Sequence, residues 1–139
     1  MARSALDDAV DDFISEVGAT IDDLARLAGR STDGRELAAQ EAFAVVAAVI
    51  DADGRHADEQ LWALIQAFAG RLDTSLAAAT PAKVREAGLV AGRRRWLERP
   101  SAMFTPLAES DARRSSSHAR TYYHRALRLA HSVAALDTM

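Results

Sequence analysis

Apolar residues near the start of the chain keep a helical period. Leu6, Val10, Phe13, Ile14, Val17, Ile21, Leu24 and Leu27 recur at three- and four-residue steps, which places one stripe on a helix over about residues 4–30. Ser4 supplies an N-cap hydroxyl, and Asp7 and Asp8 meet the positive end of the helix dipole. Gly18 is a candidate bend. Residues 29–34, Gly-Arg-Ser-Thr-Asp-Gly, read as a loop in which Thr32 or Asp33 caps the next helix, with Asp33-x-x-Glu36 in capping-box spacing. That second helix, residues 35–51, is apolar on nearly every side in its second half, which predicts a central, buried position.

A third helix over residues 57–72 carries Leu61, Leu64, Ile65, Phe68 and Leu72 on one face. Thr80-Pro81 opens a fourth, because proline in the first turn loses no intrahelical bond. Gly88 and Gly92 leave its end open, and Pro100 is a firm stop. Thr105-Pro106 opens a further helical stretch running to about residue 136. Ser115-Ser116-Ser117 either interrupts it or rides on it in solvent, and Ser117 is placed to recap the last segment. Tyr122 and Tyr123 are neighbours on that segment and point to different faces, one toward the core and one toward the edge.

The pattern therefore predicts an all-α fold, a single bundle of six or seven helices with short loops. Composition agrees. The hydrophobic share of 49% is largely alanine and leucine, good helix formers, and the β-branched runs that strands favour are almost absent. A length of 139 residues suits one domain, residues 1–139. With no cysteine, disulfides and thiolate chemistry are excluded. The longest apolar run, residues 42–50, is well short of the ~20 needed to cross a bilayer. Asp7, Asp8, Asp11 and Asp12 oppose a basic signal-peptide start. The expectation is a cytoplasmic protein without a membrane span.

Charge is divided along the chain. Residues 1–82 hold 6 basic and 15 acidic side chains, whereas residues 83–128 hold 11 basic and 4 acidic ones. Oppositely charged halves that face each other account for this, with arginines pairing across the bundle to acids such as Asp7, Asp8, Asp11 and Asp12. A second account is an anionic partner at the basic half. There the densest cluster is Arg93-Arg94-Arg95-Trp96, beside Arg99 and near Lys83 and Arg85. With Arg113, Arg114, Arg120, Arg125 and Arg128 these would form a phosphate-tracking face. No helix-turn-helix stands out and the net charge is -3, both of which argue against nucleic acid.

Between the second and third helices lies Val-Ile-Asp-Ala-Asp-Gly-Arg-His-Ala-Asp-Glu-Gln, residues 49–60. Gly54 suits a left-handed helix end, and Asp58 and Glu59 suit a helix first turn. The doubled Asp51 and Asp53 raise the alternative of a hard-cation site, for which Ca²⁺ requires six to eight oxygens. An EF-hand is excluded: with Gly54 at the loop's glycine position, the first ligand position falls on Val49 and the last on Gln60.

The run Val46-Ala47-Ala48-Val49-Ile50-Asp51-Ala52-Asp53-Gly54, followed by Asp58 and Glu59, resembles the tellurite-resistance TerB-like family. Members have an apolar helix ending in a motif like A-A-x-D-G and an acid in the next helix. The resemblance implies a small helical bundle that can be built from two related halves. It also implies a non-catalytic interaction or regulatory module of a larger bacterial protein, including proteins with ATPase domains. It implies a divalent cation, Ca²⁺ or Mg²⁺, on Asp53, Asp58 and Glu59 with Asp51 as accessory. A faint internal echo agrees, since residues 42–46 align with 126–130 and 49–53 with 133–137 at one constant offset. If the echo is a duplication, a second acidic loop would lie beyond Met139, and the chain would be a piece of a longer protein. The partner is then another protein or another domain of that longer chain.

Other chemistry is thinly represented. His56, His118, His124 and His131 form no His-Glu-x-x-His pair and no visible Ser-His-Asp grouping, and no phosphate-binding G-x-x-x-x-G-K-[S/T] loop occurs.

Overall fold

The computed structural model describes residues 4–72, 75–98, 101–114 and 116–138. Pro100, expected as a helix stop, and Ser115, the first of the three serines, lie outside the described residues. Among those described the fold is all helical, as the periodicity predicts. Six α-helices run in the order α1 (Ala5–Leu27), α2 (Gly34–Asp53), α3 (Asp58–Phe68), α4 (Pro81–Glu86), α5 (Phe104–Arg114) and α6 (His118–Ala134). Short 3-10 helices at Ser75–Ala78, Arg93–Glu98 and Ala135–Thr138 complete the described elements.

Local signals set most of the boundaries. The Ser4 hydroxyl accepts the Asp7 N–H at 3.0 Å and starts α1. The helix ends before Arg30 because Gly29 turns left-handed at φ 70, and the Arg30 N–H then folds back onto the Ala25 carbonyl at 2.8 Å. Asp33 caps α2 through the Glu36 N–H at 3.1 Å, and Thr80 caps α4 through the Lys83 N–H at 3.3 Å. α5 begins at Phe104 because Ser101 Oγ accepts the N–H groups of Met103 and Phe104, both at 3.1 Å. The break before α6 is real, but Ser117 makes no side-chain cap. Asp111 caps α6 from the preceding helix, its carboxylate accepting the N–H groups of His118 at 2.8 Å and Ala119 at 2.7 Å.

α1, α2 and α6 pack on one another around the core. α2 is buried on most sides through Ala38, Ala39, Ala42, Val45, Val46, Ala47, Ala48 and Ile50, the central position that its apolar run predicts. Phe13 meets Tyr122 edge-on at 5.6 Å, and Phe104 lies on the same tyrosine at 5.8 Å. Tyr122 is thus the core member of its pair, while Tyr123 is exposed. α2 and α6 begin in the register of the sequence echo. The elements before them differ: α1 is one continuous helix, while the equivalent stretch ahead of α6 is split between a 3-10 turn and α5.

Gly18 does not bend α1; it lets α2 approach. A Cβ there would lie 3.2 Å from the Gly34 carbonyl oxygen, and one on Gly34 would lie 2.2 Å from the Gly18 carbonyl oxygen. The Gly34 N–H also donates to Asp22 of α1 at 2.8 Å, so the start of α2 is fixed to the flank of α1. Gly34→Ala should therefore lower unfolding stability by about 3 kcal/mol, and Gly18→Ala by less, because overpacking a backbone contact forces the helices apart. Urea denaturation of the two variants checks the order, and equal stabilities would contradict it.

Candidate functional site

The loop after α2 is held by two arginines from later in the chain. Gly54 ends α2 at φ 81, and His56 takes φ 47, a left-handed conformation that a non-glycine residue adopts only when its surroundings impose it. What imposes it is visible on both sides of the ring. His56 Nε2 lies 2.9 Å from Asp51 Oδ1, and the His56 carbonyl accepts Arg85 Nη2 at 2.8 Å. α3 then begins after Ala57, whose N–H donates to the Gln60 side-chain oxygen at 3.2 Å. That is half of a capping box, since alanine has no oxygen to return the bond.

Asp51 is the centre of this arrangement. Its side chain is 2% exposed, and its Oδ2 accepts both the Arg94 backbone N–H at 2.8 Å and Arg94 Nε at 3.1 Å. The hydrogen bonds from the Arg94 side chain hold the carboxyl far below the usual carboxylate range, against the opposing effect of burial; the Arg94 N–H and His56 add to the lowering. Asp58 pairs with Arg85, which leaves Arg85 bridging the loop carbonyl and the first turn of α3. Asp53 pairs with Arg55 at 3.0 Å. Glu59 is exposed.

The four carboxylates proposed as metal ligands are therefore not brought together. Asp51 turns inward to Arg94, while Asp53 and Asp58 engage separate arginines. Among the described residues no group of three or more His, Asp or Glu side chains is placed to hold a metal ion. In this conformation the donor set does not fit Ca²⁺, which needs several oxygens converging on one point.

The anion-binding set is also divided. Arg94 is bound to Asp51, Arg93 Nε donates to the Leu89 carbonyl at 3.1 Å, and Arg95 is exposed. Arg93, Arg95 and Trp96 share an open groove with Ala44 and Glu98. Arg99 lies outside the described residues. The charge division is partly resolved by pairing across the fold, though with other partners than Arg93–Arg95 for the α1 acids. Asp12 receives Arg125 and Arg128 from α6, while Asp7 and Asp11 receive Arg71.

Two further polar centres escaped the sequence reading. The Tyr122 hydroxyl donates to Glu41 of α2, with Ser101 Oγ 3.3 Å away. Burial, then the Glu41 carboxylate, pushes the phenol above its ordinary range, so it stays protonated. Burial acts to raise the Asp111 carboxyl, but bonds from Ser116, Ala119 and His118 outweigh it and lower it overall.

Compared with protein-family models, with curated proteins and with solved structures, the chain matches none. Its functional reading therefore rests on this geometry.

Because Asp51 is buried and the Arg94 side chain is 55% exposed, the two halves of the pair differ in consequence. Arg94→Ala leaves a carboxylate stranded from water and should cost about 3 kcal/mol at neutral pH. Asp51→Asn leaves a guanidinium that water can still reach and should cost less. In the native chain the depressed carboxyl contributes fully above its unfolded value near pH 3.9 and loses that contribution only as pH falls lower. In Arg94→Ala the depression shrinks to what the backbone N–H and His56 still supply, so the gap to the native chain narrows on acidification. Denaturation curves at neutral and mildly acidic pH decide it, and parallel pH profiles would contradict this account.

Proposed function

We propose that this chain is a non-catalytic helical interaction module of TerB-like type, a docking or regulatory unit for a larger bacterial protein or assembly in the cytoplasm. One observation carries the reading. Its inward-facing ionisable groups are engaged within the fold: Asp51 with Arg94, Tyr122 with Glu41, and partly buried Asp111 with the backbone at the start of α6. Of these only Glu41 borders a groove, and there the Tyr122 hydroxyl already donates to it, which argues against a free acid or base. No helix among the described residues is long and apolar enough to cross a membrane.

Apolar surface remains for a partner. Ile21, Leu24, Leu37, Met103 and Leu107 line an open groove of about 760 Å³ between α1, α2 and the start of α5. Leu37 is 40% exposed there. A groove of this shape suits the apolar face of a helix from another domain or protein. A photo-crosslinking amino acid at Leu37, in cells of the source organism, should give a discrete adduct that the same probe at exposed Leu127 does not. Matching patterns from both positions would sink the assignment.

The cation is tested separately. Calorimetric titration of Ca²⁺ and Mg²⁺ should give no saturable heat, because the Asp51–Arg94, Asp53–Arg55 and Asp58–Arg85 pairs would have to open first. Saturable binding that Asp53→Asn abolishes would restore the metal loop. The basic strip is the weaker alternative for an anion or nucleic acid, since Arg85, Arg94, Arg125 and Arg128 already bind acids of this chain.

A further inference from the structure

α4 lines a second recess, which shares no lining residue with the interaction groove. It has a volume of about 460 Å³, within the ~300–1,000 Å³ range of small-molecule pockets. Phe43 of α2, Leu72 beyond the end of α3, Leu76 of the following 3-10 helix, Val84 of α4 and Leu89 form its apolar wall. Phe43 is held edge-on to the core ring of Phe68 at 5.3 Å, so that side of the wall is fixed by packing.

Among the described residues one charged side chain lines the recess. Lys83, the chain's only lysine, is exposed, and its Nζ lies 3.4 Å from the Ala78 carbonyl. No carboxylate among the described residues comes within ion-pair distance of it. Its neighbour Arg85 is taken by Asp58 and the His56 carbonyl. An apolar recess with a lysine at its rim, its Nζ on a backbone carbonyl and no carboxylate among the described residues beside it, selects for a particular ligand shape. A hydrocarbon gains nothing from the cation and an amphipathic cation is repelled. An anion with an apolar tail satisfies both parts, and the lysine stem adds apolar contact along the way.

We propose that this recess binds a free medium-chain acyl carboxylate, its chain against Phe43, Leu76, Val84 and Leu89 and its head on Lys83. This does not depend on the interaction reading, which concerns a different groove. The test is calorimetric titration of the intact chain with hexanoate, octanoate, decanoate and decanol below their micellar concentrations. Lys83→Gln and the groove-filling Ala87→Phe are run in parallel, both on the exposed side of α4. One saturable site is expected, tightening about tenfold for each two methylenes until the recess is full. Lys83→Gln should weaken decanoate about tenfold and leave decanol unchanged, and Ala87→Phe should move the optimum to a shorter chain. Absence of saturation at every chain length overturns the proposal. So does decanoate binding that Lys83→Gln does not alter, or a chain that sediments as a dimer from which decanoate is excluded.

Discussion

Asp51 carries its carboxylate to the end of the most buried helix, where water does not reach it, and the surrounding chain is shaped to answer that charge. A buried carboxylate without partners costs several kcal/mol. Arg94 answers with its backbone N–H and its side chain together, which is possible only if residues after α4 return to the end of α2. The 3-10 turn at Arg93–Glu98 is the form that this return takes, and it lies along α2. His56 supplies the remaining donor, its Nε2–H, at a backbone angle that most residues avoid. Loop, helix end and 3-10 turn are thus set in register by one anion.

The same logic organises the charge imbalance on a larger scale. Acids early in the chain and arginines late in it are brought together by the topology: Asp12 with α6, Asp58 with α4, Asp51 with the 3-10 turn. The Asp12 contacts are partly exposed and contribute little individually. Their effect is broad rather than register-specific, because α1 is acidic along most of its length and α6 carries arginines and no acid.

What the sequence made legible was whatever is decided within a few residues. The stripe on α1, the caps at Ser4, Asp33 and Thr80, and the buried character of α2 all follow from neighbours one or two turns away. The character of the 51–59 loop was not legible, because Asp51 finds its partner across the fold. Two acids one residue apart before a glycine look alike whether they await a cation from solution or an arginine from a later segment. Asp111 was hidden for a related reason. It caps α6 from within α5, so the nearer Ser117 looked like the cap and was not.

The brevity of α4 has its own consequence. Six residues are too few to hold a helix by backbone bonds alone, so this segment persists only through Pro81 and Val84 beneath it and Arg85 beside it. Its opening free energy is then set by a handful of side chains and falls well below that of the three-helix core. The 51–59 loop is thus held from two segments of unequal strength, by Arg85 on this short helix and by Arg94 on the 3-10 turn.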